Sequence, residues 1–385
     1  MWVGYMHGDK LKIVQMNSVL FYGDALSNIM RANDEIFKKQ NWQSDLVADL
    51  FSEIPNVNVM TYKDYVKDPL IEQLISMLSR FIRLDKKFYY LKLYFQNSQK
   101  YKPNMTKKEI ETANIRIWHY GAFYTLFGYF HEKDILFYHG ITYPYLSSFT
   151  KYGLFSKNML QAILDMQPFV IVASSFIKQG LIDLGFKPSS IHILHLYHKL
   201  PIQKHTLSDK AKPKLLTWGR YATNKQVPQL AKFCSEHNIN FTAFGDNFQT
   251  KEYASNYKEA KKYENEHVHI LTKQKEFLPF VQSHDIFISN SLHEGFLMPA
   301  IEAASQGLPL LIRKGTAPDD FFRQGFKPGF QFTSLDEIPA LIEEITKDYD
   351  YYSEQANKLA SLYTFDIYEK NLLGLVEEYL KFKKI

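Results

Sequence analysis

The sequence predicts an α/β protein of two domains, each a parallel sheet covered by helices. Three observations lead there. Short apolar runs of strand composition alternate with longer stretches of helical spacing, the pattern of a parallel sheet with helices on both faces. The pattern restarts at Lys214, after a polar stretch from Pro201 to Pro213. At 385 residues the chain also exceeds what a single hydrophobic core usually serves.

The first strand is expected at Leu11 to Met16, followed by an amphipathic helix through Ile29, Ile36 and Phe37. Between them Gly23, Asp24, Ala25 and Ser27 form a turn of small residues at the carboxyl edge of the sheet, where open α/β sheets bind ligands. Asp24 serves equally well as a helix cap. Further strands are expected at Leu46 to Leu50, Val57 to Met60, Ile115 to Trp118, Ile135 to Tyr138, Phe169 to Ala173 and Ile191 to Leu194. Helical spacing runs through Ile71 to Phe95. Residues 80–109 carry nine basic side chains against Asp85 and Glu109, interleaved with aromatics. That pattern suits a helix lying on an anionic membrane surface, and also a plain solvated face. His119 and His139 each follow a strand, so both fall near one sheet edge, but the spacing offers no third metal ligand. His192, His195 and His198 read as part of a solvated passage into the linker.

Composition narrows the classes. Apolar residues at 45% and charged residues at 23% are ordinary for a globular protein. The single cysteine, Cys234, excludes an intrachain disulfide framework and any multi-cysteine metal site. No run of 18 apolar residues occurs, so neither a signal peptide nor a membrane span is expected. The net charge of +5 suits anionic partners, and no nucleic-acid-binding signature is present.

In the second half a strand from Lys214 to Trp218 runs into Gly219, Arg220 and then Lys225. A fork-shaped guanidinium and an ammonium together can neutralise the two phosphates of a departing nucleotide. Strands follow from Asn240 to Asp246, ending on Gly245, and from Val268 to Leu271 and Thr272. An apolar run, Asp285 to Ser289, leads into a loop with Glu294, Gly295, Phe296 and Leu297, then a helix with Pro299 at its first position and a stop at Gly307 and Pro309. A strand, a glycine loop and a helix N-terminus make an anion site. Glu294 and Glu302 would repel a phosphate and suit sugar hydroxyls instead. Asp348 and Asp350 form an aspartate pair without the buried strand that a metal-binding pair would need. The last segment, Ile367 to Lys384, is amphipathic.

The E-x(7)-E spacing from Glu294 to Glu302, with G-R-x(4)-K about seventy residues upstream, resembles the retaining GT-B glycosyltransferases of family four, the group-1-like enzymes. The resemblance implies a GT-B fold, two Rossmann-like domains facing across a cleft. Residues 1–200 would form the acceptor-side domain, 201–213 a linker, 214–367 the nucleotide-sugar domain, and 368–385 a helix crossing back to the first. Arg220 and Lys225, with Gly219, would hold the donor diphosphate. Glu294 and His139 would contact the donor sugar, Glu302 the ribose, and Leu271 and Thr272 the base. Gly295, Phe296, Leu297 and Met298 would line the donor loop, and Gly23 with Asp24 the acceptor and phosphate loop. Leu297 departs from the glycine frequent in relatives.

The implied reaction is transfer of a hexose from a nucleotide-sugar to an acceptor hydroxyl with retention, needing no metal and no other cofactor. The expected acceptor is a lipid-linked glycan intermediate of bacterial surface polysaccharide, such as lipopolysaccharide, which places the protein in the cytoplasm or peripherally on the inner membrane face. Two alternatives share the motifs: a nucleotide-sugar epimerase of the same fold, and a catalytically silent partner subunit.

Overall fold

The computed structural model describes residues 11–20, 25–52, 58–59, 110, 112–119, 134–139, 163–245, 251–272 and 276–383. Gly23, Asp24, the helix expected within Ile71 to Phe95 and the basic segment 80–109 lie outside these residues. Proximity of Cα atoms divides the chain into two units, one of Met1–Val172, Ile182–His192 and Leu372–Ile385, the other of Ala173–Leu181 and Ile193–Asn371.

The first unit is built on β1 (Lys12–Leu20), β2 (Gln43–Ser52), β3 (Asn58–Val59), β4 (Ile115–His119), β5 (Ile135–Tyr138), β6 (Phe169–Val172) and β7 (Ile191–Ile193). They form a seven-stranded sheet in the order β3-β2-β1-β4-β5-β6-β7, parallel from β3 to β6. β6 reads FVIV and is buried throughout, as a strand covered on both faces must be. The helix Ala25–Lys39 lays Ile29, Met30, Ile36 and Phe37 on the core and ends on Lys38 and Lys39, cations that favour a helix C-terminus. Arg116 pairs with Asp134 at 2.7 Å, and the buried indole of Trp118 donates to the same carboxylate at 2.8 Å. His192 stacks on Phe169 with ring centroids 3.9 Å apart and lies 3.3 Å from Glu378.

The second unit carries β8 (Leu215–Trp218), β9 (Phe241–Gly245), β10 (Val268–Thr272), β11 (Ile286–Ser289), β12 (Leu310–Arg313) and β13 (Gly329–Phe332). Their order is β10-β9-β8-β11-β12-β13, all parallel. The order reverses between β8 and β11, so the ends of these two strands frame the place where such sheets take ligands. β13, with only GFQF to announce it, has no apolar run that the sequence could offer as a strand.

Residues 201–213 are not a free tether. Asp285, fully buried, accepts from the Ser208 amide, the Ser208 hydroxyl and the Lys214 amide, each at 2.8 Å. Gln203 donates its amide to Ser305 at 2.8 Å, and Gln306 donates to the Pro201 carbonyl at 2.9 Å. A Cβ at Gly307 would come within 2.8 Å of the His205 amide nitrogen, so glycine there lets the strap pass close. The histidines before it are not solvated as a set either. His198 is 3% exposed, with its ring nitrogens 3.1 and 3.0 Å from the Leu200 and Ala360 carbonyls. Burial lowers its pKa, against the raising effect of those two carbonyls.

Replacing Asp285 by Ala strands two amides and a hydroxyl, and should lower stability by roughly 3–5 kcal/mol, the cost of opening a buried charged cluster. Urea unfolding reads this directly, and an unchanged midpoint would show that the strap is not held this way.

Candidate functional site

The site grows from two loops that leave adjacent strand ends. The first leaves β8 at Gly219. Gly245, at the end of β9, lies so close that a Cβ there would sit 1.7 Å from the Gly219 carbonyl oxygen. Only glycine permits that approach, and Gly219 donates its amide to Phe244 at 3.1 Å. Tyr221, 1% exposed, then drives its hydroxyl inward, donating to Leu271 at 2.6 Å and lying 3.1 Å from the Ala243 carbonyl. Burial raises the pKa of this phenol, so it stays a neutral donor. Asn256 donates to the Tyr221 carbonyl at 2.9 Å and Glu252 accepts from the Thr223 amide at 2.8 Å. Arg220 and Lys225 are thereby carried on a braced loop.

The second loop leaves β11. Asn224 bridges the two, donating its side chain to the His293 carbonyl at 2.9 Å while its own carbonyl accepts from Leu292 at 2.8 Å. Lys225 Nζ meets Glu294 Oε1 at 2.5 Å, in an ion pair whose side chains are 17% and 9% exposed. Arg220 is exposed and has no ionic partner among the described residues. Leu297 precedes the helix Met298–Ser305 with φ of 76°, a left-handed conformation that costs a non-glycine residue about 1–2 kcal/mol. That conformation is the physical reason a glycine suits this position. Leu297 nevertheless buries its side chain, to 5% exposure. No side chain caps the helix, and Pro299 stands second in it rather than first.

Glu302 is reached within this helix, and Trp218 donates its indole N–H to Glu302 Oε2 at 3.3 Å. Burial raises the Glu302 pKa and the indole bond opposes the rise. A pocket in this unit is lined by Trp218, Gly219, Arg220, Lys225, Phe244, Ser289, Ser291 and Leu297, among others. The structure thus brings together Gly219, Arg220, Lys225, Glu294 and Leu297 on these loops, with Glu302 on the helix that follows. Gly295 and Met298 flank them, half-buried. Phe296 turns into an aromatic cluster with Phe321 and Tyr363, ring centroids 5.5 Å away. Leu271 and Thr272 end β10, half-buried, and Leu271 contributes its carbonyl to Tyr221. The sequence does not mark Trp218 and Tyr221 as site residues, since an aromatic at a strand end reads as core.

In the first unit His139 follows β5 and meets His119 directly, Nε2 to Nδ1 at 2.8 Å. Donor roles follow from the neighbours. Gln15 donates its amide to the Met30 carbonyl at 3.1 Å, so its oxygen accepts from Asn33 at 3.2 Å and from His119 Nε2 at 3.3 Å. His119 Nδ1 is then an acceptor and His139 donates from Nε2. Burial depresses both imidazoles, His139 to about 3, and His139 adds to the effect on His119. Their rings stack 5.1 Å apart, and His139 lies 4.1 Å from Phe137. Among the described residues no group of three or more His, Cys, Asp or Glu side chains could hold a metal ion. Asp348 and Asp350 are exposed at the start of the helix Tyr349–Ala360.

Exchanging Gly245 for Ala would force the Gly219 carbonyl away and with it Arg220. Both stability, by about 1–3 kcal/mol as for other overpacked sites, and any anion binding at Arg220 should fall. Calorimetry with a nucleoside diphosphate checks both, and wild-type values would mean that the two strand ends are not held together by backbone contact.

Residues 199–361 match the family Glycosyl transferases group 1, a span that takes in β8 to β13. A search of curated proteins finds no matching sequence. Solved structures match over nearly all of the chain. Sucrose-phosphate synthase from Thermosynechococcus elongatus is similar with a TM-score of 0.66 at 13% identity, covering 97% of this chain and 100% of that one. The lipopolysaccharide outer core galactosyltransferase WaaB gives 0.62 at 13% identity, with coverage of 97% and 100%. Anabaena HepE in complex with UDP-glucose gives 0.63 at 12% identity, with coverage of 96% and 100%. The chain therefore has the α/β GT-B fold, and its residues 199–361 are similar to the group 1 glycosyl transferases.

Proposed function

We propose that this protein is a retaining hexosyltransferase, moving a hexose from a nucleotide-sugar to an acceptor hydroxyl without an essential metal. One observation carries the reading: a single pocket borders Gly219, Arg220 and Lys225, with Glu294 bonded to Lys225 and Glu302 to Trp218. A cationic rim beside two carboxylates fits a ligand with a diphosphate at one end and hydroxyl groups on either side. UDP-glucose is such a ligand, and HepE has been crystallised with it.

Breaking a sugar–phosphate bond places charge on the departing diphosphate. Preplaced cations stabilise that charge more in the transition state than in the ground state. Arg220 is exposed and ready for it, while Lys225 is already oriented by Glu294. A diphosphate sharing Lys225 would leave Glu294 to accept from the sugar hydroxyls. Retention follows in this reading from attack on the face that the leaving phosphate vacates, with that phosphate taking the acceptor's proton. His139, neutral and fixed by His119, is proposed to contact the donor sugar, and Gly23 with Asp24 the acceptor and phosphates.

The acceptor is proposed to be a lipid-linked glycan intermediate of bacterial surface polysaccharide. The basic, aromatic segment 80–109 and the structural likeness to a lipopolysaccharide galactosyltransferase support this, as they do a peripheral place on the inner membrane face. No helix among the described residues is long and apolar enough to cross a membrane.

Thermal stabilisation by UDP-, GDP-, ADP-, dTDP- and CMP-sugars tests the donor, because a ligand of the folded state raises the melting temperature. One donor should stand out, NMR of the glycoside formed should show the donor's own anomeric configuration, and EDTA should not slow the reaction. An inverted product or loss of activity with EDTA would refute those parts of the reading. A sugar nucleotide altered with no acceptor present would reveal an epimerase instead, and no stabilisation at all a silent partner. Glu294→Ala should lower kcat about 100-fold or more while a nucleoside diphosphate still binds, a loss of the size seen when a transition-state contact is removed. Arg220→Ala and Lys225→Ala should each weaken binding of every nucleoside diphosphate about tenfold, and unaltered affinity would place the phosphates elsewhere.

A further inference from the structure

Trp218 stands at the end of β8 with its indole held by three rings. Phe244 stacks at 5.8 Å and 17°, while Phe277 and Phe287 meet it edge-on at 5.5 and 5.0 Å. These contacts leave the ring little freedom, so the direction of its N–H is set by packing. That N–H donates to Glu302 Oε2, and among the described residues no other side chain donates to this carboxylate. Both residues are half-buried, and Trp218 lines the pocket with Gly219, Arg220 and Lys225.

We propose that Trp218 is a positioning residue that makes the site selective for ribonucleoside diphosphates over their 2′-deoxy counterparts. The inference rests on the reading of this pocket as the nucleotide-sugar site with Glu302 at the ribose. An ionised carboxylate is acceptor-only, with about four lone-pair directions over its two oxygens. The indole takes one of them and fixes the carboxylate plane. The remaining directions then need hydroxyl donors when a ligand covers the site. A ribose fills two of the three, whereas a 2′-deoxyribose fills only one and turns a further direction to face carbon, which a polar site rejects because a buried acceptor goes unpaired. Without the indole N–H the carboxylate can rotate or take up a proton, and a protonated carboxyl tolerates the missing hydroxyl.

The experiment is calorimetric titration of the full chain with matched pairs: UDP and 2′-deoxy-UDP, ADP and 2′-deoxy-ADP, GDP and 2′-deoxy-GDP. For the base that binds, the wild type should prefer the ribo form by about tenfold or more, and Trp218→Phe should reduce that preference to about threefold or less. A structural role alone would weaken both members equally and leave the ratio unchanged, which would overturn the proposal. Glu302→Gln leaves the aromatic cluster whole and should lower the ratio in the same way, so the proposal stays testable if Trp218→Phe does not fold. Equal binding of ribo and deoxy forms by the wild type would refute this inference while leaving the nucleotide site standing. Failure of every pair to bind would refute the donor-site reading and this inference together.

Discussion

The contact between Lys225 and Glu294 fastens two loops that come from different strands, and the geometry around it depends on that fastening. Neither side chain has much water, so the ammonium and the carboxylate satisfy each other where each alone would carry a large desolvation cost. Asn224 doubles the tie with two hydrogen bonds to the partner loop. The consequence is local and functional at once. Lys225 is aimed before any ligand arrives, and Arg220, five residues earlier on the same braced loop, stays exposed.

Close approach of backbone makes that brace possible. Gly219 and Gly245 touch without side chains, which lets β8 and β9 deliver their ends to one place, and Tyr221 pins the turn from beneath. On the other loop Leu297 adopts a backbone conformation that a leucine favours least, held by burial of its side chain. Strain retained at a loop that opens a helix fits a site where backbone direction matters more than local comfort.

Buried polar chains do similar work away from this pocket. In the first unit Gln15 settles the tautomer of His119, and His119 settles that of His139, so one amide anchored on a carbonyl determines where two protons sit. In the second unit Asp285 gathers three donors and converts a polar passage into an ordered strap. Each case shows a side chain whose neighbours are far away in sequence and whose role is set by hydrogen bonds that must close once water is excluded.

Much was legible in the sequence because it is written in local order. Alternating apolar runs fixed most strands of both sheets, since a strand covered on both faces has to be apolar along its length, as β6 and β11 are. The glycine, arginine and lysine after β8 and the two glutamates around Met298 were visible for the same reason: their spacing is a property of one turn and one helix. β13 escaped because its four residues owe their place to pairing with β12 rather than to their own composition. The strap from 201 to 213 looked solvated because its partner, Asp285, lies more than seventy residues away. Trp218 was invisible as a site residue for a related reason, since only the folded sheet sets its indole against Glu302. Sequence by itself determined which residues could carry charge and hydroxyl recognition. Tertiary structure decided which of them meet, because a hydrogen bond or an ion pair depends on distance in space and a sequence records only distance along the chain.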